Sequence, residues 1–571
     1  MRLLRSTQRV TQEPRWTRAV FWAAIAAGVA PLLSARYLPF TDLPEHVAAM
    51  STMSRWLGAD GAEQATYAIT FWRSQYLLYH AAGALLTRVL GDAVLANRLL
   101  LVGLALAQPL SVRAALRALG RDERLALLAA MPFLSRPLFV GFLPYMASLP
   151  LYFLGIALVV RRAEGGPGTR RTTLLLGLLS VALFYTHLST LLVFVVSAFA
   201  LEVVLGARAT LQPSSPDGAP WSLARWARGR ARGLAWLAPV ALIAAGWSVA
   251  SRITLRGESL TDRGEIGKMD LSRSLHALPL WTFDVFRSHV DEICGGVWWT
   301  ALGVLAVLGV RSEARAFAAP PRAVSARQVP LAVRLLGRLD AAYVPLLCVL
   351  AIYFVTPFRI GAGGMLNVRL APLVALTATL TIPRSRGVLR DVLWCGVALA
   401  TVVHALNAAR EIRALAREQG MTDFDEILAA MRPGSRVVTL AFAGRATRTY
   451  YDPYPFAGSY HRARGGGVAS YSFSDLPHWP VQYRSDARPP PKPVPLWIYA
   501  PCAYRHGSDG PYYDYVLVHG GVDPFSGEPA GPVFRERHRI PGFVLYEKVP
   551  GEAWTGEGGV DGPCARPVGR P

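Results

Sequence analysis

Apolar residues along this chain gather in runs of membrane-crossing length, separated by short polar stretches in which arginine recurs. The runs expected to cross or enter the bilayer are 19–33, 74–90, 93–110, 172–205, 234–250, 297–310, 341–356, 370–382 and 392–406. Residues 172–205 are long enough for two crossings, with His187 at a tight turn between them. Residues 125–160 are apolar but broken by Pro132, Pro137, Pro144 and Pro150, a pattern that predicts two short, kinked passes. Leu43, Val47, Met50 and Leu57 share one face of a helix expected to lie on the membrane surface. The fold class that follows is a polytopic α-helical membrane protein with about 11–13 transmembrane helices.

The pattern changes near Arg410. A polar tail rich in Pro, Gly and Tyr follows, long enough to bury a core of its own. Residues 423–431 read as a helix, and 436–442, 496–499, 515–519 and 542–549 as strands bounded by turn residues. The expected division is a transmembrane domain over 1–410, with a first outer loop at about 40–73, and a soluble α/β or α+β domain over 411–571.

Composition and charge sharpen this reading. The chain has 571 residues, 52% hydrophobic and 17% charged, with mean hydropathy +0.29. Its net charge of +22 is carried by arginines in the short loops, and lysine occurs only at Lys268, Lys492 and Lys548. That distribution reads as membrane topology and contact with anionic lipid rather than nucleic-acid binding. Arg2, Arg5, Arg9, Arg15 and Arg18 precede the first apolar run, so an uncleaved anchor with a cytoplasmic N-terminus is expected. The later arginine clusters place the 251–295 loop and the tail on the extracytoplasmic side of a plasma (inner) membrane. Counting crossings leaves one segment too many before Arg113, and Arg73 and His80 mark 74–90 as a half-span. Five cysteines show no metal spacing; Cys502 and Cys564 in the tail are placed to pair if that side is oxidising.

Candidate chemistry begins at Asp42-Leu43-Pro44-Glu45-His46, three ionisable groups beside the first apolar run. Ionisable groups at a membrane face are costly to desolvate and mark function. Asp42 with Glu45 also reads as a helix cap with proline in the first turn, and the two readings stay open here. Arg369 stands beside Asn367 and a glycine-rich loop at the mouth of an apolar run, where its forked donors suit a phosphate or where it snorkels to the interface. His187 is either a substrate-orienting group or a turn histidine, and His289, Asp291 and Glu292 are a metal-site candidate or a solvated face. No P-loop, HExxH or GxSxG is present, so ATP-driven chemistry is not expected.

The Asp42 segment, followed by Tyr76-Leu77-Leu78-Tyr79-His80, Leu90-Gly91-Asp92-Ala93 and Asn97-Arg98-Leu99, resembles the GT-C superfamily of membrane glycosyltransferases. It is similar to the branch of protein mannosyltransferases and aminoarabinose transferases, although Ser74-Gln75 stands where that branch has Pro-Pro. The resemblance implies transfer of a sugar from a polyprenyl-phosphate donor to an extracytoplasmic glycan, lipid or protein. Asp42 would be the base, Glu45 or His46 its orienter or a metal ligand, and Arg369 the phosphate clamp. Asn367, Arg73, His80 and His187 are the further substrate-binding candidates. A divalent cation, Mg or Mn, is a possible cofactor. Tyr450, Tyr451, Tyr454, Tyr460 and Trp479 offer faces for sugar rings. The rival readings are a non-catalytic protein of the same fold and a lipid or solute transporter.

Overall fold

The computed structural model of the chain describes residues 15–72, 74–163, 169–210, 233–254, 266–317, 330–360, 364–384, 387–442, 446–490, 497–520, 524–525 and 533–550. Arg73 and Cys564 therefore lie outside the described residues, as does part of the 251–295 loop. Among the described residues, six helices are long and apolar enough to cross a membrane: Arg15–Leu33, Ala93–Ala118, Leu143–Ala163, Leu188–Thr210, Val290–Val310 and Val388–Glu418. Leu331–Arg338 and Tyr343–Val355, bent by 102° at their junction, make a seventh if taken as one span. Leu77–Leu90, Ala235–Ala250 and Val368–Leu380 are apolar but shorter. Together with Thr169–Thr186 these account for most of the apolar runs read from the sequence, although only six or seven reach membrane length.

The expected pair of passes over 125–160 is replaced by one. Glu123–Ala129 and Met131–Leu134 form 3-10 turns, Arg136–Val140 is a single short turn of helix, and only Leu143–Ala163 is long. Pro132 and Pro137 each remove a backbone donor where an α-helix would need it, so the ladder restarts instead of continuing. The break at His187 falls where the sequence places it, between Thr169–Thr186 and Leu188–Thr210.

One end of the bundle is held by ion pairs among the basic loops. Asp122 meets Arg124 at 2.8 Å and Arg390 at 3.6 Å, and the Trp394 indole donates to the Arg124 carbonyl at 2.9 Å. The tail sits at the other end. The Val388–Glu418 helix runs past Arg410 into it, leading to the Phe424–Ala430 helix and a five-stranded mixed sheet. The strand order is Val468–Ala469, Arg436–Ala441, Tyr515–His519, Phe543–Lys548, Phe534–Ile540, with the first three parallel and the last two joined antiparallel. Residues 497–499, expected as a strand, form a turn, and the edge strand Phe534-Arg-Glu-Arg-His-Arg-Ile540 escapes notice because charge fills its exposed positions.

The tail is not an appendage. Tyr67–Ile69 of the first loop pairs antiparallel with Val481–Tyr483, and Phe286 bridges Thr449, with the Arg287 amide donating to the Arg448 carbonyl at 2.8 Å. One buried apolar cluster runs without interruption from Phe21 in the first helix to Leu545 in the sheet. The Asp42 stretch, the loop around Phe286 and the tail thus share one face of the bundle.

Candidate active site

Asp42 is held by its backbone. The Thr41 amide donates to the Phe139 carbonyl at 2.9 Å and the Asp42 amide to that of Val140 at 3.3 Å, docking this turn onto the short Arg136–Val140 helix. Gly141 ends that helix with φ +100°, and a Cβ there would lie 2.6 Å from the Asp42 Cβ, so both its conformation and its contact require glycine. The Leu43–Leu57 helix begins next, with Pro44 in a first-turn position that needs no donor.

The cap reading fails on geometry. Asp42 has φ −89° and ψ −2°, helical rather than the extended conformation of a capping residue, and its carboxylate makes no capping bond. Asp60 and Asp92, by contrast, each accept two backbone amides at the starts of their helices. The half-buried Asp42 carboxyl is raised to about 7, first by desolvation and then by the nearby Glu45 charge, with Arg369 opposing both. A carboxyl poised there exchanges protons near neutral pH.

Arg369 is the nearby cation whose charge reaches Asp42. Its Nε and Nη2 donate to the carbonyls of Met365 at 3.1 Å and Gly364 at 2.8 Å, and its guanidinium lies 4.3 Å from the Phe142 ring centroid. Three of its five N–H groups have no bond among the described residues. Tyr76, Tyr145 and His187 surround it closely enough to be coupled to its charge. The His187 ring is turned onto Thr190, with Nδ1 at 3.0 Å from its hydroxyl. Asn367 caps the next turn, its Oδ1 accepting the Val368 amide at 2.8 Å.

Glu45 is placed differently from the orienting role set out above. It is fully buried and spent on the tail: Ser459 and Ser472 donate their hydroxyls to it, the Phe473 amide donates at 2.8 Å, and Arg462, itself fully buried, lies at 3.8 Å. His46 is likewise turned from Asp42. Its Nε2 lies 2.9 Å from the Gly141 carbonyl and its Nδ1 3.0 Å from Nε2 of His80, whose Nδ1 is 2.7 Å from the Tyr76 carbonyl. Both outer partners only accept, so three hydrogen bonds demand three N–H groups on two rings, one more than a neutral pair carries. Burial holds His46 well below the ordinary histidine range, so the pair stays neutral with one contact unprotonated. His46 thus supports Asp42 at second hand, by fixing Gly141.

These commitments turn Glu45 and His46 away from Asp42 as shared ligands of an ion. Among the described residues no group of three or more His, Cys, Asp or Glu is placed to hold an ion, and the neighbouring carboxylate, Glu45, has its oxygens engaged. In the His289 cluster, Asp291 accepts the Val285 and Phe286 amides while His289 pairs with Glu292.

Sequence reasoning missed Arg462, Ser459 and Ser472, which carry no motif, and Tyr471 and Tyr499, which share the field of Asp42. Of the tail aromatics, Trp479 is buried against His46 and His80, Tyr454 donates to the Tyr37 carbonyl, and Tyr451 and Tyr460 are buried. Tyr450 is 44% exposed, flanked by Arg136 and Arg287.

Neither a protein-family model nor a curated protein matches the chain. Solved structures do. ArnT from Cupriavidus metallidurans bound to undecaprenyl phosphate aligns at TM-score 0.54 and 10% identity, over 95% of this chain and 100% of that one. The chain has a GT-C-like fold. Arabinofuranosyltransferase AftD from Mycobacteria aligns at TM-score 0.42 and 15% identity over 94% of this chain, which spans 40% of AftD. Within this GT-C-like fold the Asp42 carboxylate and the Arg369 guanidinium lie close enough for their charges to interact.

Proposed function

We propose that the protein transfers a sugar from a polyprenyl-phosphate donor to an extracytoplasmic acceptor, with Asp42 as general base and Arg369 as phosphate clamp. One observation carries this reading: Asp42 is a helix-start aspartate that does no capping, raised to about 7 and opposed by an arginine with donors to spare. Asp42 takes the proton of the acceptor hydroxyl as it attacks the anomeric carbon. The phosphate leaving group gains negative charge as the glycosidic bond breaks, and the open edge of Arg369 meets it with charge-assisted bonds. The GT-C-like fold supports the donor class, since its structural neighbour ArnT was solved with undecaprenyl phosphate. Cys502 is disulfide-bonded while Cys294, Cys348 and Cys395 are free, which favours an oxidising, extracytoplasmic side for the tail.

The test is transfer of radiolabelled sugar from synthetic polyprenyl-phosphate donors to envelope glycan by protein in nanodiscs. Transfer that Asp42→Asn abolishes is expected. Wild-type protein that moves intact donor across the bilayer without cleaving it would establish the transporter reading instead.

A further inference from the structure

The short Arg136–Val140 helix is the support on which the Asp42 turn rests. Its last two carbonyls accept the Thr41 and Asp42 amides, at 2.9 and 3.3 Å, and Gly141 just beyond leaves no room for a Cβ beside Asp42. A single turn of helix does not hold itself in place, because isolated turns are unstable in water. An ion pair at its other end fixes it. Arg136, the first residue, donates Nε to the Asp284 carbonyl at 2.7 Å and Nη2 to the Asp284 carboxylate at 2.6 Å, a fork closed on one residue. Both side chains are largely withdrawn from solvent, at 17% and 10% exposure, where such a pair is little screened. Trp281 and Tyr450 cover the guanidinium, each with its ring centroid at 5.5 Å.

Asp284 is itself held. Its amide donates to the Leu280 carbonyl at 2.8 Å, ending the Leu271–Phe283 helix, and the next two amides, of Val285 and Phe286, donate to the buried Asp291 carboxylate at 2.6 and 2.7 Å. The Phe286 ring then meets Phe139 edge-on at 5.2 Å, so the 284–291 turn holds the short helix at its start and again near its end. We propose that Arg136 and Asp284 are positioning residues for Asp42: the pair fixes the short helix whose carbonyls set where the Asp42 carboxylate stands. The inference rests on the transferase reading only for what Asp42 does once placed. Neither charge is among those that act on the Asp42 carboxyl, which are Glu45 and Arg369, and the tyrosines in its field are Tyr471 and Tyr499. Losing the pair therefore acts on Asp42 through the backbone. A loosened helix lets Asp42 reach water, and its proton affinity then falls toward that of an ordinary carboxylate.

The test uses full-length protein and the double variant Arg136→Met/Asp284→Asn, which removes the fork but strands no charge, so that folding survives. Sugar transfer in nanodiscs should lose kcat by about 10- to 100-fold, the scale of a small misplacement, with the donor KM changed by no more than about twofold. The limb of the pH profile that belongs to Asp42 should move from about 7 toward about 4, the ordinary carboxylate value. A merely structural role would lower stability and leave that limb in place. A second readout needs no sugar: thermal unfolding at pH 8 with and without Asp42→Asn. The substitution is expected to raise the unfolding temperature of the wild type, and in the double variant that gain should shrink at least about twofold, because the carboxylate is already hydrated. Arg136→Lys, which keeps the charge and one bond, should fall between wild type and the double variant in both readouts. Wild-type kcat with the limb still at about 7, or an undiminished gain from Asp42→Asn, overturns the proposal. If the wild type transfers no sugar the transferase reading falls, and the unfolding comparison still decides whether the pair places Asp42.

Discussion

Replacing Glu45 by Gln separates a stapling carboxylate from a catalytic one. Glu45 and Arg462 are both fully buried, and the carboxylate accepts from two serine hydroxyls and a backbone amide contributed by the tail. The amide of Gln keeps the shape but removes the charge, leaving the Arg462 guanidinium, two of whose nitrogens already lack partners, buried with only the more distant Glu63, itself paired with Arg55, to oppose its charge. Breaking a buried pair from one side costs about 3–5 kcal/mol. At roughly 2–4 °C per kcal/mol this lowers the unfolding temperature by on the order of 10 °C. Arg462→Met should cost a similar amount. The double variant Glu45→Gln/Arg462→Met should cost less than the sum of the two, because neither charge is then stranded. Thermal unfolding in detergent, with limited proteolysis of the tail, measures all three. A Glu45→Gln protein with wild-type stability and lost transfer would refute the stapling role and return Glu45 to catalysis.

Arg369→Lys should bind undecaprenyl phosphate about 10- to 100-fold more weakly in a nanodisc titration, because one ammonium cannot hold the Gly364 and Met365 carbonyls and also fork onto phosphate. Gly141→Ala should lose about 2–4 kcal/mol to its left-handed backbone and to the clash with the Asp42 Cβ, visible in thermal unfolding, with transfer falling further than stability alone explains. Asp42→Asn should raise stability at pH 8 relative to wild type and leave it unchanged at pH 3. The folded state holds the carboxyl at about 7, well above its unfolded value, so its ionisation opposes folding once the pH exceeds the unfolded value, and fully above 7. Equal unfolding temperatures of the two proteins at pH 8 would contradict the desolvated placement of Asp42.

The sequence marks Asp42 and Arg369 because each is a charge at the edge of an apolar run, a local and costly placement. It does not show which of the neighbouring charges are spent. The partners of Glu45 stand more than four hundred positions away in the tail, and His46 meets His80 across 34 positions, so only tertiary packing reveals that both are occupied. Apolar runs likewise announce membrane segments without fixing their length: Leu77–Leu90 and Val368–Leu380 are apolar throughout much of their course, yet stop short of a crossing. The charged edge strand Phe534–Ile540 was invisible because strand patterning shows on a half-buried face, and this one is exposed except at its ends.

The role of Asp42 as base is read out by the pH dependence of sugar transfer in wild type and Asp42→Asn. Wild-type transfer should rise with pH through about 7, as the carboxyl that burial has raised gives up its proton, and then level off. The Asn variant should be slower by ~100-fold to 10,000-fold and lose that limb of the profile. Transfer by Asp42→Asn at near wild-type rate, with the same rise through pH 7, would contradict the account.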